Sequence, residues 1–361
     1  MPTDHALAER LWWSDDPMAV IARAALAPLS VLYGAAMAAR GRLYDAGVFS
    51  TLPLPLPALS VGNLTVGGTG KTPVAAWVAA ALVARGARPA IVLRGYGDDE
   101  PLVHRVLNPA VPVLIDPDRV QGGWKAAALG ADVIVLDDAF QHRGAARVAD
   151  LVLVSADRWP NRWRLLPAGP AREPLVALQR ATIVMVTRKA ATVEAARAVA
   201  RAVAGAAPGV PVAVAHLAPG ELADASGARL AISSLAGSAP LAITSIADPR
   251  SFAAQLTQAG LVPRLVAFPD HHDFTEADVT RLTREAAQAG RAVCTLKDHV
   301  KLAPLWPRGG PPLLYLTQRV NVEFGAEAVD TVLSIVLAAR TLPTQPAPGA
   351  ASHVQRPQTS D

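Results

Sequence analysis

The sequence predicts an α/β fold: a parallel sheet with helices on both faces, followed by a second, smaller α/β domain. Three observations predict it. From residue 57 onward, short β-branched or apolar runs alternate with Ala-rich stretches of helical length. The short runs carry no polar alternation, as expected of strands buried on both faces of a parallel sheet. A polar stretch at 220–231 then divides a longer first set of alternations from a shorter second set, and 361 residues suffice for two domains.

In order, strands are expected at 58–61, 89–93, 112–115, 133–136, 151–154 and 182–186, with helices at 71–85, 121–129 and 193–204. The second set has strands at 241–245, 261–268, 292–295 and 312–315, and helices at 249–259, 276–289 and 326–339. This gives a first domain over 51–225, a second over 226–340 with its hinge at 220–231, and a Pro/Ser/Gln-rich tail at 341–361 that is expected to be disordered.

Residues 1–50 form a separate N-terminal segment. The start carries no basic region leading into an apolar core, so it does not read as a secretory signal. Its oiliest part, 24–39, lies between Arg23 and Arg40 and contains Pro28, and falls short of the ~20 apolar residues of a membrane span. With Trp12 and Trp13 before it and Arg23, Arg40 and Arg42 beside it, the stretch suits a helix lying on a membrane surface. It equally suits an Ala-rich helix packed on the protein's own core.

The composition is 51% hydrophobic and 18% charged, with 5% aromatic residues, which excludes a disordered or collagen-like body. The net charge of +4 is too small and dispersed to mark a nucleic-acid binder. The single cysteine, Cys294, excludes an internal disulfide and fits a reducing compartment.

The most informative segment is ALSVGNLTVGGTGKTPVAAW. A strand leads through Thr65 and Val66 into Gly67-Gly68-Thr69-Gly70, and Lys71-Thr72 opens a helix. Glycines let backbone N–H groups turn toward a polyphosphate, and the helix N-terminus adds partial positive charge. Lys71 can reach the β/γ-phosphates and the Thr72 hydroxyl can ligate Mg²⁺. Pro73 sits in the first turn, where its missing N–H costs nothing. The strict pattern wants glycine where Thr65 stands, so the match is GGTGKT within a strand–turn–helix context. The expected first domain is therefore a P-loop NTPase-type sheet.

ADVIVLDDAFQHR places Asp137 and Asp138 at the end of an apolar strand, where P-loop enzymes hold Mg²⁺ or its waters. Two carboxylates followed by Gln141 and His142 exceed what one metal contact needs, which points to groups facing an acceptor substrate. A guanine-reading [NT]-K-x-D is missing: Thr187-Arg188-Lys189-Ala190 stands there instead. The additional lysine early in the loop of partitioning ATPases is also missing from 60–70. Phosphoryl transfer to a bound acceptor is favoured, and a P-loop ATPase or regulatory nucleotide-binding module is the alternative. His271-His272-Asp273 lacks a further ligand at metal-site spacing.

VGNLTVGGTGKTP, RGYG, DEP, DDAFQHR, LLPAGPAREPL, FPDHHDF and TLKDHVKL, in this order, resemble the tetraacyldisaccharide 4'-kinase (lipid A 4'-kinase) family over about residues 12–335. The resemblance implies transfer of the ATP γ-phosphate to the 4'-hydroxyl of an acylated glucosamine disaccharide 1-phosphate. It also implies Mg²⁺, two domains closing over the site, and attachment to the cytoplasmic face of the inner membrane. No nucleic acid and no obligate protein partner are expected. By the same resemblance Asp99 is the general base and His271 its orienting partner, while Lys71 and Thr72 contact the γ-phosphate and Mg²⁺. Asp137 and Asp138 are metal and acceptor-side carboxylates, Glu100 is a supporting acid, and Arg119, Arg172 and Glu173 line the site. Asp98 is adjacent to Asp99 and remains a second possibility for the base. Three departures stand out. An insertion between RGYG and DEP is missing, Ala139 replaces a glycine that a positive φ would demand, and Leu296 replaces a common Glu. An acceptor with four acyl chains must be met at a bilayer surface, which favours the membrane reading of 12–42.

Overall fold

The computed structural model describes residues 4–95, 99–160 and 162–341. Asp98, and the expected disordered tail except Thr341, lie outside the described residues.

The chain opens with α1 (Asp4–Trp13) and α2 (Pro17–Asp45). It then builds β1 (Ala58–Asn63), α3 (Lys71–Ala84), β2 (Pro89–Leu93), α4 (Asp99–Leu107), β3 (Val113–Ile115), α5 (Arg119–Ala128) and β4 (Val133–Asp137). Next come β5 (Ala149–Ser155), β6 (Ile183–Arg188), α6 (Val193–Ala206), β7 (Val212–Ala223) and β8 (Arg229–Leu230). The remainder is β9 (Leu241–Thr244), α7 (Pro249–Gln258), β10 (Arg264–Ala267), α8 (Glu276–Gln288), β11 (Ala292–Thr295), α9 (Leu296–Leu302), β12 (Leu313–Phe324) and α10 (Ala326–Ala338).

These strands form one sheet in the order β10-β9-β11-β12-β7-β6-β5-β1-β4-β2-β3, with β8 beside β7. Apart from the short antiparallel β7–β8 pair, the pairs within each half are parallel, and the halves join through β7 and β12, which run antiparallel. The sequence reading expects a second, smaller α/β domain after a hinge at 220–231. Instead Pro219 to Ala223 belong to a twelve-residue strand, and only a turn separates β7 from β8. Pro219 and Gly220 made this stretch look like a loop. In β12, the polar residues Gln318, Arg319, Asn321 and Glu323 disguised a strand that continues well past residue 315.

The first-half core gathers Leu59 and Val61 of β1, Val74, Val78 and Leu82 of α3, and Leu151 and Leu153 of β5. Val329, Val332, Leu333 and Val336 of α10 complete it, so the last helix packs on the first half, although its position in the sequence placed it with the second. Burial of each such side chain contributes roughly 1.5–3 kcal/mol. The second-half core holds Leu241, Ile243, Leu282, Cys294 and Tyr315, and Val103 of α4 joins it. The helix that begins at Asp99 therefore sits where the halves meet.

Pro28 leaves one carbonyl of α2 without its N–H partner, yet the helix continues through it for 29 residues, longer than the sequence reading allowed. By length and hydropathy α2 could cross a membrane. One side is tied to the body at several levels: Ser30 and Tyr33 donate to the carbonyls of Leu165 and Arg172, and Arg40 to that of Gln141. The other side presents Met18, Ile21, Leu29, Val31 and Leu32, each more than half exposed. Besides Arg40, other expected lipid contacts are used inside the fold instead. Arg23 is buried, donating to the carbonyls of Leu11 and Ser14 at the end of α1, and the Trp12 indole donates to the carbonyl of Pro167.

Candidate active site

All six residues of β1 are buried, and the strand delivers the chain into the glycine loop. Gly67, Gly68 and Gly70 have φ of 77, 64 and 83°, a left-handed backbone that side chains rarely adopt. The Asn63 side chain braces the loop, donating to the Thr65 carbonyl at 2.7 Å and Thr69 Oγ1 at 2.8 Å. Thr187 Oγ1 donates to the Thr69 carbonyl at 2.9 Å. Gly70 caps α3 without a side-chain acceptor, so the first-turn N–H groups stay available to an anion.

This loop forms part of the wall of a cavity of about 1070 Å³. Val66 to Pro73 line it, together with Glu100, Arg119, Asp137, Asp138 and Arg172 from the first half. Asp248, Asp270, His271 and Lys297 close it from the second half. Both sets lie beyond the carboxyl ends of parallel strands, where α/β sheets place their ligands.

Asp137 ends β4 in the buried interior. Its Oδ2 lies 2.8 Å from His104 Nε2, while its Oδ1 is buried without a hydrogen-bond partner among the described residues. Asp138 has a φ of 51°. The positive φ of this turn thus falls on Asp138, so Ala139 adopts its place without that strain and packs fully buried. Burial alone would raise the Asp138 pKa, but Lys71, at 3.6 Å, and Arg172, at 3.0 Å, outweigh it and hold the carboxylate ionised.

Arg119 is 2% exposed and donates to the Asp116 carbonyl at 2.8 Å, with its other arm 3.5 Å from the Asp137 carbonyl. Arg172 reaches Asp138 and, at 3.4 Å, Gln141. Glu173 is not brought to the cavity wall: it is buried and spent on Arg180, at 2.9 Å, and on the Gln141 amide, at 3.1 Å. Thr65 also stands off the wall, bridged to Ala171.

Asp99 opens α4 and is 2% exposed, behind the His271 and Lys297 side chains that face the cavity. His271 Nδ1 is 3.3 Å from Asp99 Oδ2, at an angle that leaves Oδ2 without a well-formed hydrogen bond. Lys297 and Lys301 stand 3.7 and 3.9 Å from the same oxygen. Burial pushes the Asp99 pKa up, but His271 and the two lysines together bring it below the ordinary value. Glu100, its neighbour, is the opposite case: burial first, then the charge of Asp137, raise its pKa to about 7. Sequence reasoning missed Lys297, Lys301 and His104. The first two lie in the TLKDHVKL motif and could have been found there, but His104 shows only as a histidine five positions after Asp99.

The oxygens of Thr72, Asp137 and Glu100 line one cavity and form a hard donor set, and the orphaned Asp137 Oδ1 fits a cation. Among the described residues no three His, Cys, Asp or Glu side chains converge as a metal cage, so phosphate oxygens would complete the coordination.

The family model for Tetraacyldisaccharide-1-P 4'-kinase matches residues 22–110 and 97–338. A tetraacyldisaccharide 4'-kinase from Anaeromyxobacter sp. (strain Fw109-5) is 39% identical over 328 residues, covering 83% of this chain and 88% of the relative. The chain belongs to this family. The kinase from Azoarcus sp. (strain BH72) is 36% identical, with 92% and 95% covered. LpxK from Aquifex aeolicus, in a crystal structure in complex with ATP, superposes with a TM-score of 0.68 at 28% identity, over 87% of this chain and 99% of that one. As a member of the family the chain is an ATP-dependent kinase acting on a hydroxyl group, with the P-loop-type α/β fold expected of it.

Proposed function

We propose that this kinase transfers the γ-phosphoryl group of ATP to the 4'-hydroxyl of tetraacyldisaccharide 1-phosphate, with the site residues acting as follows. The loop 66–72 cradles the phosphates, and Lys71 turns from Asp138 to the transferring group. Thr72, Asp137 and Glu100 would hold Mg²⁺, which supplies charge neutralisation on the phosphates. Asp99 takes the hydroxyl proton as the sugar oxygen attacks phosphorus and the bond to the ADP oxygen breaks. His271 orients Asp99, and the two must part slightly to admit the hydroxyl. Arg119 and Arg172 face the developing phosphate charge, and Glu173 braces Gln141 and Arg180 behind the wall.

The observation that carries this reading is the convergence, on one cavity, of a phosphate cradle from the first half and His271 from the second, with Asp99 directly behind that histidine. Because the pair joins residues of both halves, a domain organisation in which they close over the substrates fits it.

The acceptor's acyl chains set the location. The apolar side of α2 would lie in the bilayer surface while Ser30, Tyr33 and Arg40 hold its other side beside the cavity. ATP is cytoplasmic, which places the enzyme on the cytoplasmic face of the inner membrane. The test is ATP consumption with and without acceptor, with ³¹P spectra of the product. Acceptor-dependent turnover with a new phosphomonoester at the 4' position is expected; lipid-independent hydrolysis alone would favour a P-loop ATPase.

A further inference from the structure

The TLKDHVKL segment has a place in the fold but no role so far. Its first turn is held firmly. Thr295 caps α9 and donates to Asp298 Oδ2 at 2.6 Å, and the buried Asp298 also accepts from the backbone N–H of Ser245 at 2.9 Å. Lys301, one turn on, donates to Ser245 Oγ at 3.0 Å and to the carbonyl of His272 at 2.8 Å. This network pins α9 against the 245 and 270–272 loops. Lys297 is thereby set with its Nζ 2.9 Å from His271 Nε2, 3.7 Å from Asp270 Oδ1 and 3.7 Å from Asp99 Oδ2. His271 itself sits at a φ of 57°, so its ring is carried on a constrained backbone.

An ammonium group donates hydrogen bonds and accepts none. A lysine 2.9 Å from Nε2 therefore requires a lone pair on that nitrogen. In a neutral imidazole the proton must then sit on Nδ1, the nitrogen 3.3 Å from Asp99. Which ring nitrogen carries the proton is set by the bond the other makes. We propose that Lys297 is a positioning residue of the Asp99–His271 pair: by donating to Nε2 it fixes the Nδ1–H tautomer of His271 and so keeps the proton on the ring nitrogen nearer Asp99. The inference rests on the reading of the pair as the proton-accepting unit. Asp270 balances the lysine's charge from the cavity side, and Lys301 and Glu100 are the other charged groups that face the pair.

The test is long-range ¹H–¹⁵N spectroscopy of the imidazoles in the full-length protein without substrates, above pH 8, with His271 assigned by the signal lost in His271→Gln. The wild type should show Nδ1 protonated and Nε2 as an acceptor. Lys297→Met should move His271 toward the Nε2–H form, and Lys297→Arg should restore Nδ1–H. In turnover, Lys297→Met should lower kcat at least about tenfold with KM for ATP within about twofold, because only the geometry of proton transfer is disturbed. Lys297→Arg should recover part of the rate. Retention of the Nδ1–H form in Lys297→Met would overturn the proposal. The spectra need no catalysis, so a wrong assignment of the base shows separately, as normal kcat in Asp99→Asn.

Discussion

At the residue scale, carboxyl groups at and just behind one cavity wall are driven in opposite directions. Asp99 and Asp138 stay ionised because cations outweigh burial, whereas Glu100 sits with its pKa raised to about 7 by burial and by Asp137. The folded protein therefore holds a proton on Glu100 at pH values where the unfolded chain has released it. The stability this confers is full below the ordinary value of 4.5 and is lost as pH rises through about 7. Metal-free melting curves should show Glu100→Gln gaining on the wild type between pH 5 and 8; parallel curves would mean Glu100 ionises normally. Gly70 gives a second residue-scale prediction. At its φ of 83° an added Cβ would lie 2.3 Å from Leu217 Cδ1. Gly70→Ala should cost about 1–2 kcal/mol from the left-handed backbone alone and weaken ATP binding, as measured by thermal shift with titrated nucleotide. The residues on the phosphate loop and the paired aspartates were legible because their chemistry demands fixed spacing along the chain. His104 was not, because its meaning comes from a partner 33 positions away.

At the element scale, the parallel strands and their covering helices were read with only small errors at the ends, since continuous apolar runs leave little choice. The failures were α4, α9 and the long strands β7 and β12. The two helices have 9 and 7 residues, too few for periodicity to speak, and the long strands alternate polar residues outside the core. The sequence reads 12–42 as either a surface helix or one packed on the core, and the lipid reading places Trp12 and Arg23 in contacts that the fold itself uses. On the proposed reading, the exposed apolar residues that would meet the bilayer include Ile21, Leu29, Val31 and Leu32. Replacing these four with Ser should reduce partition into anionic lipid vesicles by at least about tenfold, each losing on the order of 1 kcal/mol or more of apolar transfer. Melting temperature should hold, since all four are more than half exposed. Unchanged sedimentation with vesicles would remove α2 as the membrane contact.

At the scale of the whole molecule, β7 and β12 make the sheet continuous, and α10 returns to seal the first-half core. The second half is thus an insertion between strands that belong to both, which the linear division at residue 225 could not express. Leu333, 1% exposed, packs in the first-half core near the last end of the chain. Leu333→Ala should destabilise by about 2–5 kcal/mol and depress the nucleotide-binding half, followed by hydrogen exchange of β1 and β4. Loss of protection confined to β9–β11 would contradict that closure. The same architecture sets Asp99 of α4, the proposed base, behind His271 of the β10–α8 loop, which faces the cavity lined by the loop between β1 and α3. Transfer of labelled γ-phosphate from ATP to tetraacyldisaccharide 1-phosphate, by the wild type and by Asp99→Asn, tests that convergence most directly. The wild type should form the 4'-phosphate, and Asp99→Asn should lose about 10²–10⁴-fold in kcat with KM for ATP nearly unchanged. Wild-type rates in the folded variant, or no transfer by the folded wild type, would contradict it.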